Sequence, residues 1–458
     1  MVTPVYTLLI VESPVIARII QQLVPSSVYV VATGGYCWKP KFNYRNSSLQ
    51  AIADPNLSSV RKELKEQAGL AGTVIIATDT DPSGDFIAWS VARFLKTNTV
   101  KRGKLQNLSR SGILSMMDEI REMDTEQLEV RLKNRFLIRH EWYHQKEFPE
   151  LELSGFISLF SGRTSYRHFV DENNELHQSS VPVKANPDQW ISLSKIDNET
   201  KYFNQNPLSL YDLIPALVQN GTANSYHTAQ NDLQNLFEAS LPDEQVSLIS
   251  YPRTGAFSFY SETWDVLQTQ YLKLGLQEPF KPNFLRDIAD PEIPHESIHP
   301  LNLGIGPEAI RKRVPSELSQ IYSLIHDHTL QSVQIPAPLH SAWFSELDPE
   351  VYFYSLIRNG EKSAAKEIFL RPCITLSDAG KMLDRLGVLR PSGFGKAIDK
   401  WVNEGWATIS GNVINPGKSV QKYLGKSSRI YKTLQELNDH ADSFSLNSAT
   451  IQSLITSN

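Results

Sequence analysis

The chain opens with an apolar run, Leu8-Leu9-Ile10-Val11, that stops at Glu12. A short continuous apolar run of this kind marks a strand covered on both faces. Ser13 suits a helix N-cap and Pro14 the first helical position, which predicts a helix over 14–23. A second apolar strand is expected over 28–32 and a third over 73–77, Thr73-Val74-Ile75-Ile76-Ala77. The third runs into Asp79-Thr80-Asp81-Pro82-Ser83-Gly84-Asp85, after which Ile87, Val91 and Leu95 recur at helical spacing. Strands alternating with helices predict a largely parallel sheet for roughly the first 120 residues.

Past that point the pattern changes. A charged helical stretch begins near 120 and gives way to a polar segment around Asp197 and Asn198, with a linker at 204–207. Helical spacing resumes over 209–217, 228–239 and 316–330. Between them Pro279, Pro282, Pro291, Pro294 and Pro300 read as loop, and Ile335-Pro336-Ala337-Pro338 as a hinge. A small helical module is expected at the end, with helices over 377–386 and 393–405, and no internal repeat or low-complexity tract interrupts the chain.

Composition narrows the class. At 458 residues the chain is long enough for about three domains. Hydrophobic residues make up 41% and charged residues 21%, with no run near the roughly 18–20 apolar residues a membrane span needs. No membrane partner is expected, and the N-terminus lacks the positive region of a signal peptide. Cys37 and Cys373 are too few for a disulfide framework or a four-cysteine zinc site, which points to a reducing, cytoplasmic setting. The net charge of −5 does not mark a nucleic-acid binder, but a local basic groove counts for more than the total. Such basic clusters occur at 311–313, at Lys396 and Lys400, and between 418 and 426.

Candidate chemistry sits in two places. Ser247-Leu248-Ile249-Ser250-Tyr251-Pro252-Arg253-Thr254 puts a tyrosine and an arginine two residues apart after a strand-like run. In an extended chain both would face one site, where a fixed cation favours phenolate and stabilises charge developing on phosphate. Glu12 ends one strand, while Asp79 and Asp81 follow another; ligands bind at such carboxyl ends, and gathered hard oxygens suit Mg²⁺. A third motif, His295-Glu296-Ser297-Ile298-His299, satisfies the H-E-x-x-H pattern of zinc proteases. Pro300 directly after His299 and Pro294 before His295 oppose the regular helix such a site requires. Trp142, Trp190 and Trp401 read as packing residues rather than stacking platforms.

In this order the elements resemble the type IA DNA topoisomerases. Ile10-Val11-Glu12-Ser13-Pro14 resembles that family's opening motif, and 77–85 its Toprim motif, usually Asp-x-Asp-x-Glu-Gly-Glu. Ser161-Gly162-Arg163 resembles the Gly-Arg segment, 248–254 the active-site motif, 294–300 the His-Glu-Ala-Ile-Arg-Pro segment, and Leu389-Arg390-Pro391-Ser392 the Gly-Arg-Pro-Ser-Thr motif. The resemblance implies a multidomain α/β plus α protein: an N-terminal Toprim domain with a Rossmann-like parallel sheet, then a mainly helical toroidal body with a shortened β arch. It divides the chain into a Toprim domain at 1–122 and a helical DNA-binding domain at 123–195 and 371–458. A short arch or hinge takes 196–221 and 331–370, and an active-site tyrosine domain 222–330.

It also implies that Tyr251 attacks a backbone phosphate to form a 5′-phosphotyrosine, that Arg253 clamps the phosphate and His295 orients it. Glu12 would assist proton transfer, and Glu12, Asp79 and Asp81 would hold Mg²⁺. Arg163, Arg18, Arg390 and Ser392 would contact DNA. The expected partner is single-stranded DNA, or negatively supercoiled duplex, bound by a monomer that other DNA-processing proteins can join, in the cytoplasm and on the nucleoid in a prokaryotic or viral setting. A covalent intermediate keeps the phosphodiester energy, so no ATP is needed, and no G-x-x-x-x-G-K-[ST] is present.

The departures are specific. The third Toprim acid falls at Ser83, the lysine expected after the opening motif at Ile16 with Arg18 the nearest cation, and the expected Gly-His reads Gly35-Tyr36. Gly255 and Ala256 stand where Asp-Ser is usual, His299 replaces an arginine, and the segments flanking the tyrosine are short for an arch. Two DNA readings follow: a topoisomerase that cleaves and religates, and a catalytically weakened relative that binds single-stranded nucleic acid. The zinc protease is the remote third.

Overall fold

The computed structural model describes residues 6–79, 82–95, 100–103, 110–161, 165–186, 189–195, 201–203, 205–239, 247–276, 285–286, 295–334, 337–339, 343–345, 348–355, 367–443 and 446–457. Chain order begins with β1 (Thr7–Val11), α1 (Pro14–Leu23) and β2 (Val28–Ala32). A hairpin of β3 (Trp38–Asn43) and β4 (Ser48–Ala53) and then α2 (Ser58–Leu70) follow. β5 (Thr73–Ile76), α3 (Pro82–Leu95), β6 (Val100–Arg102), α4 (Arg110–Asp118), β7 (Arg121–Glu122) and the long α5 (Thr125–His144) complete the N-terminal part.

Five of these strands form one sheet in the order β2-β1-β5-β6-β7, parallel except for β7. Its faces are filled by alternation. Leu9, Val11 and Ile75 pack with Ile16 and Ile20 of α1 and Met116 of α4, whereas Leu8, Ile10, Val74 and Ile76 pack with Phe86 of α3 and Leu132 of α5. Both faces are covered, which is why these strands carry unbroken apolar runs. Ser13 caps α1 by accepting from Val15 N and Ile16 N at 3.2 and 3.5 Å, with Pro14 at the first position. β1 and β5 are neighbours in parallel register, so Glu12 and Asp79 emerge at the same edge of the sheet.

After α6 (Leu151–Ser158) come β8 (Ser165–Val170), β9 (Leu176–Lys184), β10 (Ile191–Lys195) and β11 (Lys201–Phe203). A helical body follows: α7 (Leu210–Gln219), α8 (Tyr226–Glu238), β12 (Phe259–Tyr260), α9 (Ser261–Lys273), β13 (Leu285–Arg286), α10 (Pro307–Arg311) and α11 (Ser316–Val333). Next are β14 (Ala337–Leu339), β15 (Trp343–Ser345), β16 (Asp348–Ser355) and β17 (Glu367–Pro372). The chain ends with α12 (Leu376–Arg385), α13 (Phe394–Asn403), the hairpin of β18 (Ala407–Ser410) and β19 (Val413–Pro416), α14 (Ser427–Asp439) and α15 (Ser448–Ser457).

Six strands, β10-β15-β16-β9-β8-β17, close into a barrel around Phe169, Leu193, Trp343, Phe353 and Leu370. The expected division placed 165–195 with the helical domain and 331–370 in a short arch; instead both stretches contribute strands to this barrel. The five inward residues come from five different strands, so no apolar run announces any of them. At the β8–β9 turn Asp171 Oδ1 accepts from Asn173 N and Glu175 N at 2.8 Å, and Asp171 Oδ2 lies 3.2 Å from His177 Nε2. Trp142 and Trp401 are core residues, as expected, whereas Trp190 is 43% exposed with Arg371 5.4 Å over its ring. The two cysteines are free, and burial pushes the Cys37 thiol up to about 11. No described helix is long and apolar enough to cross a membrane.

Candidate active site

The segment after β5 is held from three sides. Ala77 N donates to Ile10 O at 2.7 Å, and the Thr78 hydroxyl donates to Gly84 O at 2.7 Å. From the end of the next strand, Arg102 donates to Thr78 Oγ1 at 2.8 Å and to Asp79 O at 2.9 Å. Gly84 makes the close approach possible, because a Cβ there would lie 2.0 Å from Asp79 O. On the adjacent strand end, Gly34 N donates to Glu12 O at 2.9 Å, with Gly34 at φ 67° and Gly35 at φ 97°, a turn open to residues without a Cβ.

Tyr251 approaches this edge from the helical body. Ser250 N donates to His299 O at 2.9 Å and Leu301 N to Leu248 O at 3.2 Å, which ties the segment before Tyr251 to 298–301. The Tyr251 hydroxyl donates to Asp79 Oδ2 at 3.3 Å across 172 residues of chain. Its ring lies 4.4 Å from that of His295 and 5.7 Å from that of Phe237, the latter edge-on. His295 Nε2 is 3.6 Å from Asp79 Oδ1, so both carboxylate oxygens of Asp79 are engaged. Burial pushes the Asp79 carboxyl up, but the His295 hydrogen bond and charge, the Tyr251 hydroxyl and the Arg102 guanidinium outweigh it and hold the carboxyl below its ordinary range.

Arg253 does not share this site. The chain bends at Pro252 and Arg253 instead of running extended, and Arg253 is exposed with its Nε donating to Gln234 Oε1 of α8 at 3.1 Å. The strand-like run before Tyr251 is reduced to isolated bridge positions, among them Ile249 to Pro300. Both differences follow from Pro252, which removes a backbone donor and fixes φ where a strand would continue.

The H-E-x-x-H segment is irregular. His295 has φ 74°, in the left-handed region a zincin helix excludes. Glu296 accepts from Tyr260 N at 3.2 Å, and His299 Nδ1 lies 2.9 Å from Ser297 O. Glu296 is thus committed to a distant backbone amide and His299 to its own local backbone, while His295 reaches the Asp79 carboxylate. A described cluster with metal-ligating atoms within 4.8 Å of one another is Asp171, Glu175 and His177, on the β8–β9 turn and not in the Toprim edge.

The remaining candidates are scattered. Asp81 and Arg163 lie outside the described residues. Arg18 is exposed on α1. Arg390 bonds Asp384 at 3.2 Å, and the Ser392 carbonyl accepts from Gln230 of α8. Arg390 and Ser83 do share a cavity of about 300 Å³ with Tyr36, Arg135 and Arg139. Asp85 does not replace the acid missing at Ser83: it faces Arg131 at 3.2 Å and Arg102 at 3.7 Å. Toward a divalent cation the edge therefore offers Glu12 and an ionised Asp79, with Asp81 next in sequence. Hard oxygens of this kind fit Mg²⁺ that keeps most of its waters. Arg102, Gln234 and Arg135 escaped the sequence reading. The signal for Arg102 was available in principle, since it ends a strand in register with Ile76.

Comparison with known proteins finds relatives of one kind. The Toprim domain model matches residues 7–108. The DNA topoisomerase 1 of Mycoplasmoides gallisepticum is 23% identical over 60% of this chain and 47% of its own length. That of Campylobacter jejuni is 21% identical over 89% and 70%, and that of Mycoplasma pneumoniae 22% identical over 71% and 60%. This chain thus spans about half to two thirds of the length of these relatives. Full-length topoisomerase I from Thermotoga maritima superposes with a TM-score of 0.61 at 17% identity, covering 98% of this chain and 89% of that one. The chain carries a Toprim domain at its N-terminus and is similar, at low identity, to proteins named DNA topoisomerase 1.

Proposed function

We propose that the protein cleaves and religates single DNA strands by type IA chemistry, without ATP. The observation that carries this reading is the Tyr251 hydroxyl bonded to the Toprim carboxylate Asp79 beside His295. The Tyr251 oxygen attacks a backbone phosphorus, the bond from phosphorus to the 3′ oxygen breaks, and a 5′-phosphotyrosine forms. The tyrosyl proton is lost and the departing 3′ oxygen gains one, with Glu12 at the neighbouring strand end as the carrier. Religation is the reverse, and the phosphodiester energy is retained throughout. In the free protein Tyr251 is a donor to an anion, so Asp79 and His295 orient the phenol until DNA arrives. Arg253 must leave Gln234 to reach the phosphate. Glu12, Asp79 and Asp81 would hold Mg²⁺, which would add positive charge beside the phosphates. Arg18, Arg163, Arg390 and Ser392 would track the backbone of a strand led in from the C-terminal module to a monomer.

A second reading keeps the fold but loses turnover: a binder of single-stranded nucleic acid. Ser83 in an acid's place and Asp85 turned to two guanidiniums favour it. Covalent trapping separates the two. Labelled single-stranded DNA with Mg²⁺ gives a denaturant-resistant adduct on the wild type and none on Tyr251→Phe if cleavage occurs. No adduct on either, with binding retained, selects the binder.

A further inference from the structure

The β3–β4 hairpin carries a face that the cleavage site does not use. We propose that this hairpin and α5 form a second track that stacks the bases of single-stranded DNA as the strand leaves the cleft at Arg390 and Arg135. The inference rests on the reading above only for where the strand comes from.

Two stacked ring pairs join hairpin to helix. Phe42 lies 5.3 Å from Phe136 with planes 9° apart, and Tyr44 lies 3.8 Å from His140 at 16°. Beyond them His140, Tyr143 and His144 sit on one face of α5, at i, i+3 and i+4, with rings 4.3 Å (His140 to His144) and 5.3 Å (Tyr143 to His144) apart. The inner pair is packing. The outer rings are only partly covered: Tyr44, with one face on His140, is 44% exposed, and Tyr143 is 74% exposed. An exposed aromatic ladder leaves π-faces available to bases of any sequence.

Charge points to the same occupant. Residues 39–53 hold Lys39, Lys41 and Arg45 and no acid, and residues 131–140 hold Arg131, Lys133, Arg135 and Arg139 and no acid, in a chain of net charge −5. Lys39, Arg131 and Lys133 are paired with Asp54, Asp85 and Glu129. Among the described residues no carboxylate pairs with Lys41, Arg45 or Arg139. Burial first, and then the neighbouring Arg390 charge, pull the proton affinity of Arg135 down against the opposing Asp442 and Asp85 charges. Continuity comes from the cavity, which Arg390, Ser83 and Arg135 share with Phe136 and Arg139. A strand passing from Ser83 along Arg135 and Arg139 would meet Tyr44 and Tyr143 next.

The test is fluorescence anisotropy on the full chain with two oligonucleotides, one of about 8 nucleotides that fills only the cleft and one of about 24 that reaches the hairpin. The double variant Tyr44→Ala, Tyr143→Ala should weaken the long oligonucleotide roughly 5- to 100-fold and leave the short one unchanged. Tyr44→Phe should keep long-strand affinity, since it keeps the ring. Arg45→Ala with Arg139→Ala should lower the salt slope for the long strand by about 1.4. Unchanged long-strand affinity in the double variant, or an equal loss on both lengths, overturns the proposal. Adduct formation on the short oligonucleotide should persist in the double variant. If the wild type forms no adduct yet the length dependence holds, the cleavage reading fails and the track stands.

Discussion

The two halves of the candidate site are built differently. On the Toprim side, Asp79 is clamped: Arg102, Thr78 and Gly84 hold its backbone, and His295 and Tyr251 take both carboxylate oxygens. On the tyrosine side, the cation expected to hold phosphate is exposed and, among the described residues, rests on a neutral partner, Gln234. The acid half is organised before substrate binds, whereas the cation half has a bond to exchange. Preorganised groups stabilise a developing charge without reorganising, so under the proposed cleavage chemistry the difference would put the rate-sensitive motion on Arg253.

The comparison can be broken at either end. The largest effect is expected for Tyr251→Phe, which removes the proposed nucleophile and should cut adduct formation on the order of 10⁴-fold or more, while denaturant unfolding shifts by no more than about 1 kcal/mol for the lost hydrogen bond. Arg253→Ala should lower adduct yield about 10²- to 10³-fold with stability unchanged, as suits a group that acts on the transition state from an exposed position. If it instead destabilises the protein, Arg253 is structural and the contrast fails. Gly84→Ala tests the clamp: its Cβ meets the Asp79 carbonyl, so unfolding should fall by about 1–3 kcal/mol in urea titration. Gln234→Ala should change cleavage by only a few-fold, and upward, because it releases Arg253; a decrease would show that Gln234 positions the guanidinium.

Acid sensitivity gives the smallest and most specific readout. The Asp79 carboxyl is held below its unfolded value, so its contribution to stability is complete above the ordinary carboxylate pKa of about 3.9. That contribution is lost as pH falls through the folded value. Asp79→Asn should therefore flatten the acid limb of the stability profile and leave its neutral plateau shape alone.

How much of this was legible varies with the environment of each segment. The parallel sheet was readable because strands covered on both faces need apolar side chains at every position, and Ser13-Pro14 announced the first helix by capping chemistry alone. The barrel was not, since each strand contributes one or two inward residues amid His, Ser and Gln. Tyr251 and Asp79 were both singled out in the sequence and lie together in space, yet the extended geometry assumed between Tyr251 and Arg253 was lost to Pro252. His299 paired with His295 in a pattern, but in space it serves Ser250 and Ser297. The cavity arginine Arg135 and the strut Arg102 stood in no motif; their roles come from register and tertiary approach.

Arg102 is at once a brace and a counter-ion. The same guanidinium fixes the Thr78 and Asp79 backbone and answers the Asp85 carboxylate. Shape and potential at this edge are consequently one variable. A substitution that retunes the charge also moves the loop, and one that relaxes the loop also changes the field that Tyr251 meets.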